Sequence, residues 1–171
     1  MHPSADSIIR LLGLKPHPTC GFTSETFVSN LQIPAASLPP EYQSGRPLGG
    51  VLYFLVTPQA SIRLHRIRSD QMYHHYLGDP LEVLLVNSRG ESEIRVVGSD
   101  LESGMRPQLL IPGGTFHAGR IRGSIGYALL GTSVWARPEP ADVEMGDCEK
   151  LMAENPAVRA KIAQFFASPG A

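Results

Sequence analysis

SIRLHRIRSDQMYHHYLGDPLE, residues 61–82, carries three of the chain's six histidines and two of its five tyrosines. Apolar and polar residues alternate along Ser61 to Arg68 and again along Gln71 to Tyr76, the period of strands whose successive side chains take opposite faces. The alternation puts Ile62 and Leu64 on one side and Arg63, His65 and Ile67 on the other. On the next strand it sets Gln71, Tyr73 and His75 against Met72, His74 and Tyr76. Gly78-Asp79-Pro80 closes the unit as a turn. Imidazole and phenol at this density on neighbouring strands point to a small-molecule site inside a β-barrel.

The flanking sequence extends the pattern. Gly50 to Thr57, GVLYFLVT, is an apolar run of the kind that forms a strand buried on both faces. Leu81 to Asn87, Glu93 to Val97, Gln108 to Ile111, Thr115 to Arg120 and Ser124 to Val134 supply further strands, with a last extended piece over Asp142 to Gly146. About eight to ten mostly antiparallel strands with close-set turns predict an all-β sandwich or closed barrel. Short helices flank it, over residues 4–13, Asp147 to Ala153 and Pro156 to Phe166. Phe22 and Phe27 are expected to bury their rings beside a Pro-rich turn. Asn30 to Leu48 holds four prolines and no periodicity, which predicts a loop that partly closes the barrel mouth. The expected organisation is one domain over 1–171, its barrel roughly at 20–145 and a helical tail at 147–167.

Composition narrows the function classes. A hydrophobic content of 42% and a charged content of 18% are globular values. A formal net charge of −1 with no basic stripe gives nucleic acid no electrostatic footing. No apolar run reaches the roughly 20 residues needed to cross a bilayer, and Asp6 near the start argues against a signal peptide. Cys20 and Cys148 form neither a zinc spacing nor a disulfide framework, so a reducing cytoplasmic setting is expected.

Pro112-Gly-Gly-Thr-Phe-His117 matches Pro-x-Gly-x-x-His, the second signature of the cupin superfamily. The first signature, His-x-His followed by Glu and Gly, aligns with His65, Ile67, Gln71 and Gly78. With the blocks His17 to Phe27, Gly50 to Thr57, Ser61 to Leu81, Gly98 to Gly119 and Leu129 to Val134, most of the chain resembles one branch of that superfamily. The branch comprises small single-domain cupins of unknown function, similar in fold to seed storage proteins and sugar-nucleotide epimerases. The resemblance implies a jelly-roll barrel. It also implies a metal site that this sequence departs from, because Ile67 replaces the second histidine and Gln71 the glutamate. Isoleucine cannot ligate, and a neutral amide does not offset a cation's charge. No cofactor is favoured; a divalent metal, if bound, would fall to His65, Gln71 and His117.

The same residues suit metal-free acid–base chemistry. A neutral histidine with an unperturbed pKa near ~6.5 is a fitting general base or acid. His65, Tyr73 and His117 are therefore the candidate catalytic residues. Arg63, on the alternation face of His65, would either grip an anionic group or pair at the rim. Gln71 and His75 join the candidate binding residues. Glu25 is either a pocket carboxylate or a solvated strand charge, and Tyr53 and Tyr127 either line the cavity or pack as hydrophobes. His17, on a loop, and His2, at the terminus, are not site candidates. The resemblance implies an isomerase, epimerase or dehydratase acting on a carbohydrate-like molecule or a secondary metabolite. The alternatives are a metal-dependent oxygenase or isomerase, and a non-catalytic binding or storage-like cupin. A homodimer is expected, because a wet apolar face on Gly50 to Thr57 would cost about 25 cal/mol per Å².

Overall fold

The computed structural model describes residues 3–166. His2 and residue 167, the expected end of the tail, lie outside the described residues. In chain order the strands are β1 (Lys15–Pro16), β2 (Phe22–Val28), β3 (Gln32–Ile33), β4 (Arg46–Pro47), β5 (Gly50–Val56), β6 (Ile62–Ile67) and β7 (Asp70–Gly78). They continue as β8 (Leu81–Val86), β9 (Ser92–Val97), β10 (Gln108–Ile111), β11 (Phe116–Ile121), β12 (Ala128–Trp135) and β13 (Val143–Met145). Helix α1 (Ala5–Leu11) precedes them, and α2 (Cys148–Glu154) and α3 (Arg159–Phe166) follow.

Two antiparallel sheets face each other as a jelly roll, in the orders β1-β2-β5-β12-β7-β10 and β13-β6-β11-β8-β9. The all-β expectation holds. Phe54, Val56, Ile62, Leu81, Val83, Leu85, Val97, Ile111 and Leu130 fill the space between the sheets. The outer face of the five-stranded sheet is covered by the C-terminal helices, where Val158, Ile162 and Phe165 meet Leu64, Leu84 and Phe116. Full burial of such side chains contributes about 1.5–3 kcal/mol each.

The outer face of β5 is not bare. Leu55 is completely buried in a third cluster with Ile8 of α1, Leu14, Tyr127 and Leu129. Helix α1 takes the place assigned above to a second copy of the chain, so the homodimer expectation loses that support. Phe27 also departs from expectation, being 56% exposed. The Pro-rich segment, expected to close the mouth, contributes no residue to the cavity lining. It folds into the β3–β4 hairpin, fastened by buried Arg46, whose Nε and Nη2 donate to the Asp142 carboxylate at 2.9 and 3.1 Å.

The turn that ends β7 is built on Asp79, whose carboxylate accepts the N–H groups of Ile125 (3.1 Å) and Gly126 (2.7 Å). Gly78 lies at φ +90°, and a Cβ there would strike the carbonyl and ring of Tyr127. Gly78→Ala is expected to lower unfolding free energy by about 1–3 kcal/mol, read by urea denaturation. A loss within error would show that the turn relaxes freely.

Candidate functional site

A cavity of about 590 Å³ opens at one end of the space between the sheets. Its size falls within the usual range for small-molecule sites. β6 contributes His65 and Ile67, β7 contributes Gln71 and Tyr73, β12 contributes Thr132 and Val134, and β5 contributes Leu52 and Phe54. The segments His17–Cys20 and Arg137–Pro140, with Glu25, Val143 and Met145, border it as well.

A bulge in β6 decides which side chains enter. His65 lies opposite His117, but Ile62 lies opposite Gly119, so β6 spends one residue more than β11 between the same two rungs. Ile62 and His65 therefore both face inward, while Leu64 joins the cluster under the C-terminal helices. Arg63 is turned out, exposed, with Nη1 donating to the Pro18 carbonyl at 3.3 Å. Strict alternation placed Arg63 beside His65, and the extra residue separates them.

His65 is 5% exposed. Its Nδ1–H donates to the Arg63 carbonyl at 2.7 Å, which leaves Nε2 as the lone-pair nitrogen. Among the described residues Nε2 has no partner, and it is not sealed from solvent, so it opens on the cavity. Burial lowers the His65 pKa, the Arg63 carbonyl opposes this, and His17 lowers it further. Tyr73, 3% exposed, keeps its phenol protonated, because burial and the nearby Cys20 raise its pKa well above the usual 10.

His117 stands behind this pair rather than on the cavity. It is fully buried on β11, with its ring centroid 4.2 Å from that of His65. The Gln71 amide donates to its Nε2 and its Nδ1–H donates to the Thr115 carbonyl, both at 3.3 Å. Burial and the His65 charge depress its pKa well below 6.5, against the pull of the Thr115 carbonyl. His117 thus holds Gln71 and supports His65, and does not itself reach the cavity.

Three other expectations fall. His75 lies beyond Tyr73 on β7, bonded through Nε2 to the Asp79 carbonyl at 2.9 Å, and does not line the cavity. Tyr53 sits on the outer side of β5, edge-on to Tyr76. Tyr127 packs with α1, its hydroxyl without a partner among the described residues. Parity carries Tyr53 outward, opposite to Leu52 and Phe54; His75 shares the parity of Gln71 and Tyr73 but lies farther along β7, and Tyr127 precedes β12. Glu25 does border the mouth, held by Arg137 Nε at 2.7 Å.

His17, Cys20 and Thr132 are site residues that the sequence reading missed. His17 Nδ1 accepts from the Thr19 backbone N–H at 3.3 Å, which puts its proton on Nε2. Burial lowers its pKa, so it is neutral near pH 7. Burial pushes the Cys20 thiol up to about 11, with the Thr19 hydroxyl pulling the other way. The signal for Thr132 was its parity with Leu130 and Val134 in β12; the signal for His17 was a histidine and a cysteine three apart, next to a strand.

Comparison with known proteins now identifies the fold. A family model described as "Cupin superfamily (DUF985)" matches residues 6–145. The chain is a cupin. It is similar to a hypothetical protein from Leishmania major at 26% identity and TM-score 0.84, covering 95% of this chain and 98% of that one. A Shewanella oneidensis protein matches at 27% identity and TM-score 0.81, covering 99% and 100%. A dTDP sugar isomerase from Desulfovibrio desulfuricans matches at 17% identity and TM-score 0.51, over 73% of this chain and 83% of that one, which is a likeness of fold. No curated protein matches.

The metal of other cupins does not fit this donor set. His117 Nε2 is engaged by the Gln71 amide, the second histidine position is Ile67 on the apolar wall, and the glutamate position is an amide. Among the described residues no group of three or more His, Cys, Asp or Glu side chains is placed to hold a metal ion. Three good protein ligands are the usual minimum for a catalytic site.

Proposed function

We propose that this cupin is an acid–base enzyme, an isomerase, epimerase or dehydratase that moves a proton at a carbon beside a carbonyl. The observation that carries the reading is the His65 imidazole, fixed by its own backbone through Nδ1, with its lone-pair Nε2 on the cavity beside the protonated Tyr73 phenol. Nε2 accepts the proton from carbon. The Tyr73 O–H donates a hydrogen bond to the carbonyl oxygen, where negative charge develops in the transition state. His17, neutral with its proton on Nε2, borders the mouth as a second hydrogen-bond donor, and the proton that His65 takes up is the one it returns to carbon or gives to a departing hydroxyl. Gln71 and His117 position the pair from behind.

The walls exclude bulk water with Phe54, Leu52, Ile67 and Val134, which strengthens each of these polar contacts. Incubation of carbonyl compounds with the protein in D₂O, followed by NMR, tests the reading through enzyme-dependent deuterium entry at the α carbon. Added EDTA is expected to leave that exchange unchanged. Purification without chelators followed by elemental analysis supplies the opposing result: a stoichiometric transition metal whose removal abolishes exchange would select the metal-dependent alternative.

A further inference from the structure

The guanidinium groups near the cavity differ in how much of their hydrogen-bonding capacity the protein uses. Arg46 spends all three nitrogens: Nε and Nη2 donate to Asp142, and Nη1 donates to the Ser44 carbonyl and hydroxyl and to the Gly45 carbonyl. Arg137, which lines the cavity, spends only Nε, donating to Glu25 Oε2 at 2.7 Å. Its Nη1 and Nη2 have no partner among the described residues. The side chain is nonetheless fixed in place. Its backbone N–H donates to the Pro47 carbonyl at 3.0 Å, and its stem crosses Gly50, where a Cβ would meet Arg137 Cγ and Cδ at 3.3 and 3.4 Å. A planar fork held at one edge and bare at the other is preorganised for a carboxylate, which it matches with two parallel N–H···O bonds.

The surrounding charges leave room for a single negative one. Glu25 is paired with Arg137, Glu139 and Asp142 face Arg46, and Asp142 also faces Arg68, so three carboxylates stand against three guanidiniums. A monoanion at the Nη edge therefore meets no net charge of its own sign, whereas a dianion would share one guanidinium with Glu25. The Glu25–Arg137 bond joins partly exposed groups, a kind of pair that solvent screens, so it steadies the fork and leaves it able to take a second carboxylate. Arg63, considered above for an anionic group, is turned out by the bulge, and Arg137 supplies that group from the chain beyond β12. Most of the wall is apolar, through Leu52, Phe54, Ile67, Val134, Val143 and Met145.

We infer that this site takes a carbonyl compound with an apolar body and one carboxylate, and that Arg137 binds the carboxylate through Nη1 and Nη2. The inference deepens the acid–base proposal by naming its substrate class, and it rests on that proposal for the carbonyl.

Matched pairs at two spacings of carboxylate and ketone test it by calorimetry at pH 7.5. They are 2-oxo-4-phenylbutanoate against 4-phenyl-2-butanone, and 4-oxo-4-phenylbutanoate against butyrophenone, each pair differing by a carboxylate in place of a methyl. At least one acid is expected to bind about tenfold or more tightly than its ketone, the worth of a charge-assisted bidentate contact, and more tightly than phenyl phosphate, the dianionic arm. Arg137→Gln should abolish that preference and leave ketone binding within about twofold. Glu25→Gln should strengthen acid binding by about two- to tenfold, because it releases Nε and removes a like charge beside the fork. Opposite signs in the two variants separate an anion subsite from a structural ion pair, whose loss from either side would act alike. The pair is partly exposed, so both variants should fold, as their thermal midpoints will show. Neither acid binding more tightly than its ketone, tighter binding of phenyl phosphate, or shifts of the same sign in both variants would overturn the inference. Enzyme-dependent deuterium entry beside the ketone reads the acid–base proposal separately. Acids that bind through Arg137 without exchange remove His65 as a base and leave the carboxylate contact standing; exchange into the ketones with no preference for the acids does the reverse.

Discussion

His65→Ala is expected to slow proton exchange by about 10²- to 10⁴-fold while the fold persists, the usual worth of a positioned acid–base group. The pH profile should carry the same signature. Burial lowers the His65 pKa, and His17 adds to the effect against the Arg63 carbonyl, so the basic form is populated down to pH values below the ordinary 6.5. The exchange rate should therefore rise with pH along an acid limb that inflects below 6.5 and then level off. His65→Ala should erase that limb in whatever activity remains. Circular dichroism and the thermal midpoint check that the loss is chemical, and a variant that exchanges at the native rate would remove His65 from the mechanism.

Asp142→Ala is expected to produce the largest loss of stability, about 3–5 kcal/mol, because it takes both carboxylate bonds from the buried Arg46 guanidinium and leaves it only the half-exposed Glu139 at 3.4 Å. Arg46 and Asp142 are 2% and 4% exposed, and the carboxylate also accepts the Glu139 N–H at 2.8 Å and faces Arg68 at 3.4 Å. The control is Glu144→Ala, which breaks the exposed pair with Arg66 and should cost no more than about 1 kcal/mol. Urea unfolding at neutral pH compares them, and equal losses would refute the distinction. Burial pushes the Asp142 carboxyl upward, but the Arg46 and Glu139 bonds and the charges of Arg46 and Arg68 outweigh it and hold the pKa below its ordinary value. The stabilisation is thus complete above the unfolded carboxyl range near ~3.9 and is lost as pH falls through the folded value. His65 and His117 act in the same direction at higher pH. Their folded pKa values lie below ~6.5, so the unfolded chain binds more protons there and stability falls on acidification.

The parts of this fold that were legible in the sequence are those written in period and punctuation. The run Gly50 to Thr57, the turn at Gly78 to Pro80 and the block Pro112 to His117 all lie where their residues place them. Within the site, His65, Gln71 and Tyr73 were readable because the strands that carry them keep an interior face. Depth was not readable. His117 sits on β11, between β6 and β8, and only the sheet order reveals that a central strand puts this ring behind its neighbours. Covering elements were equally hidden, since nothing in Tyr53 or Tyr127 announces that α1 draws them to the outer cluster. His17 and Cys20 come from a loop, where side-chain direction follows tertiary contacts and no period exists to read.

The bulge in β6 acts as a parity switch in the chain. Upstream of it, inward residues fall on even numbers, as with Ile62; downstream they fall on odd ones, as with His65 and Ile67. A single-residue deletion at Arg63 would therefore do more than shorten a strand. It would remove the surplus residue and bring the two phases into one, leaving Ile62 and His65 on the same face by plain alternation. Across relatives of this fold, an inward histidine at this rung can thus follow its inward neighbour by two residues or by three, and the tally between them tells which strands carry the bulge.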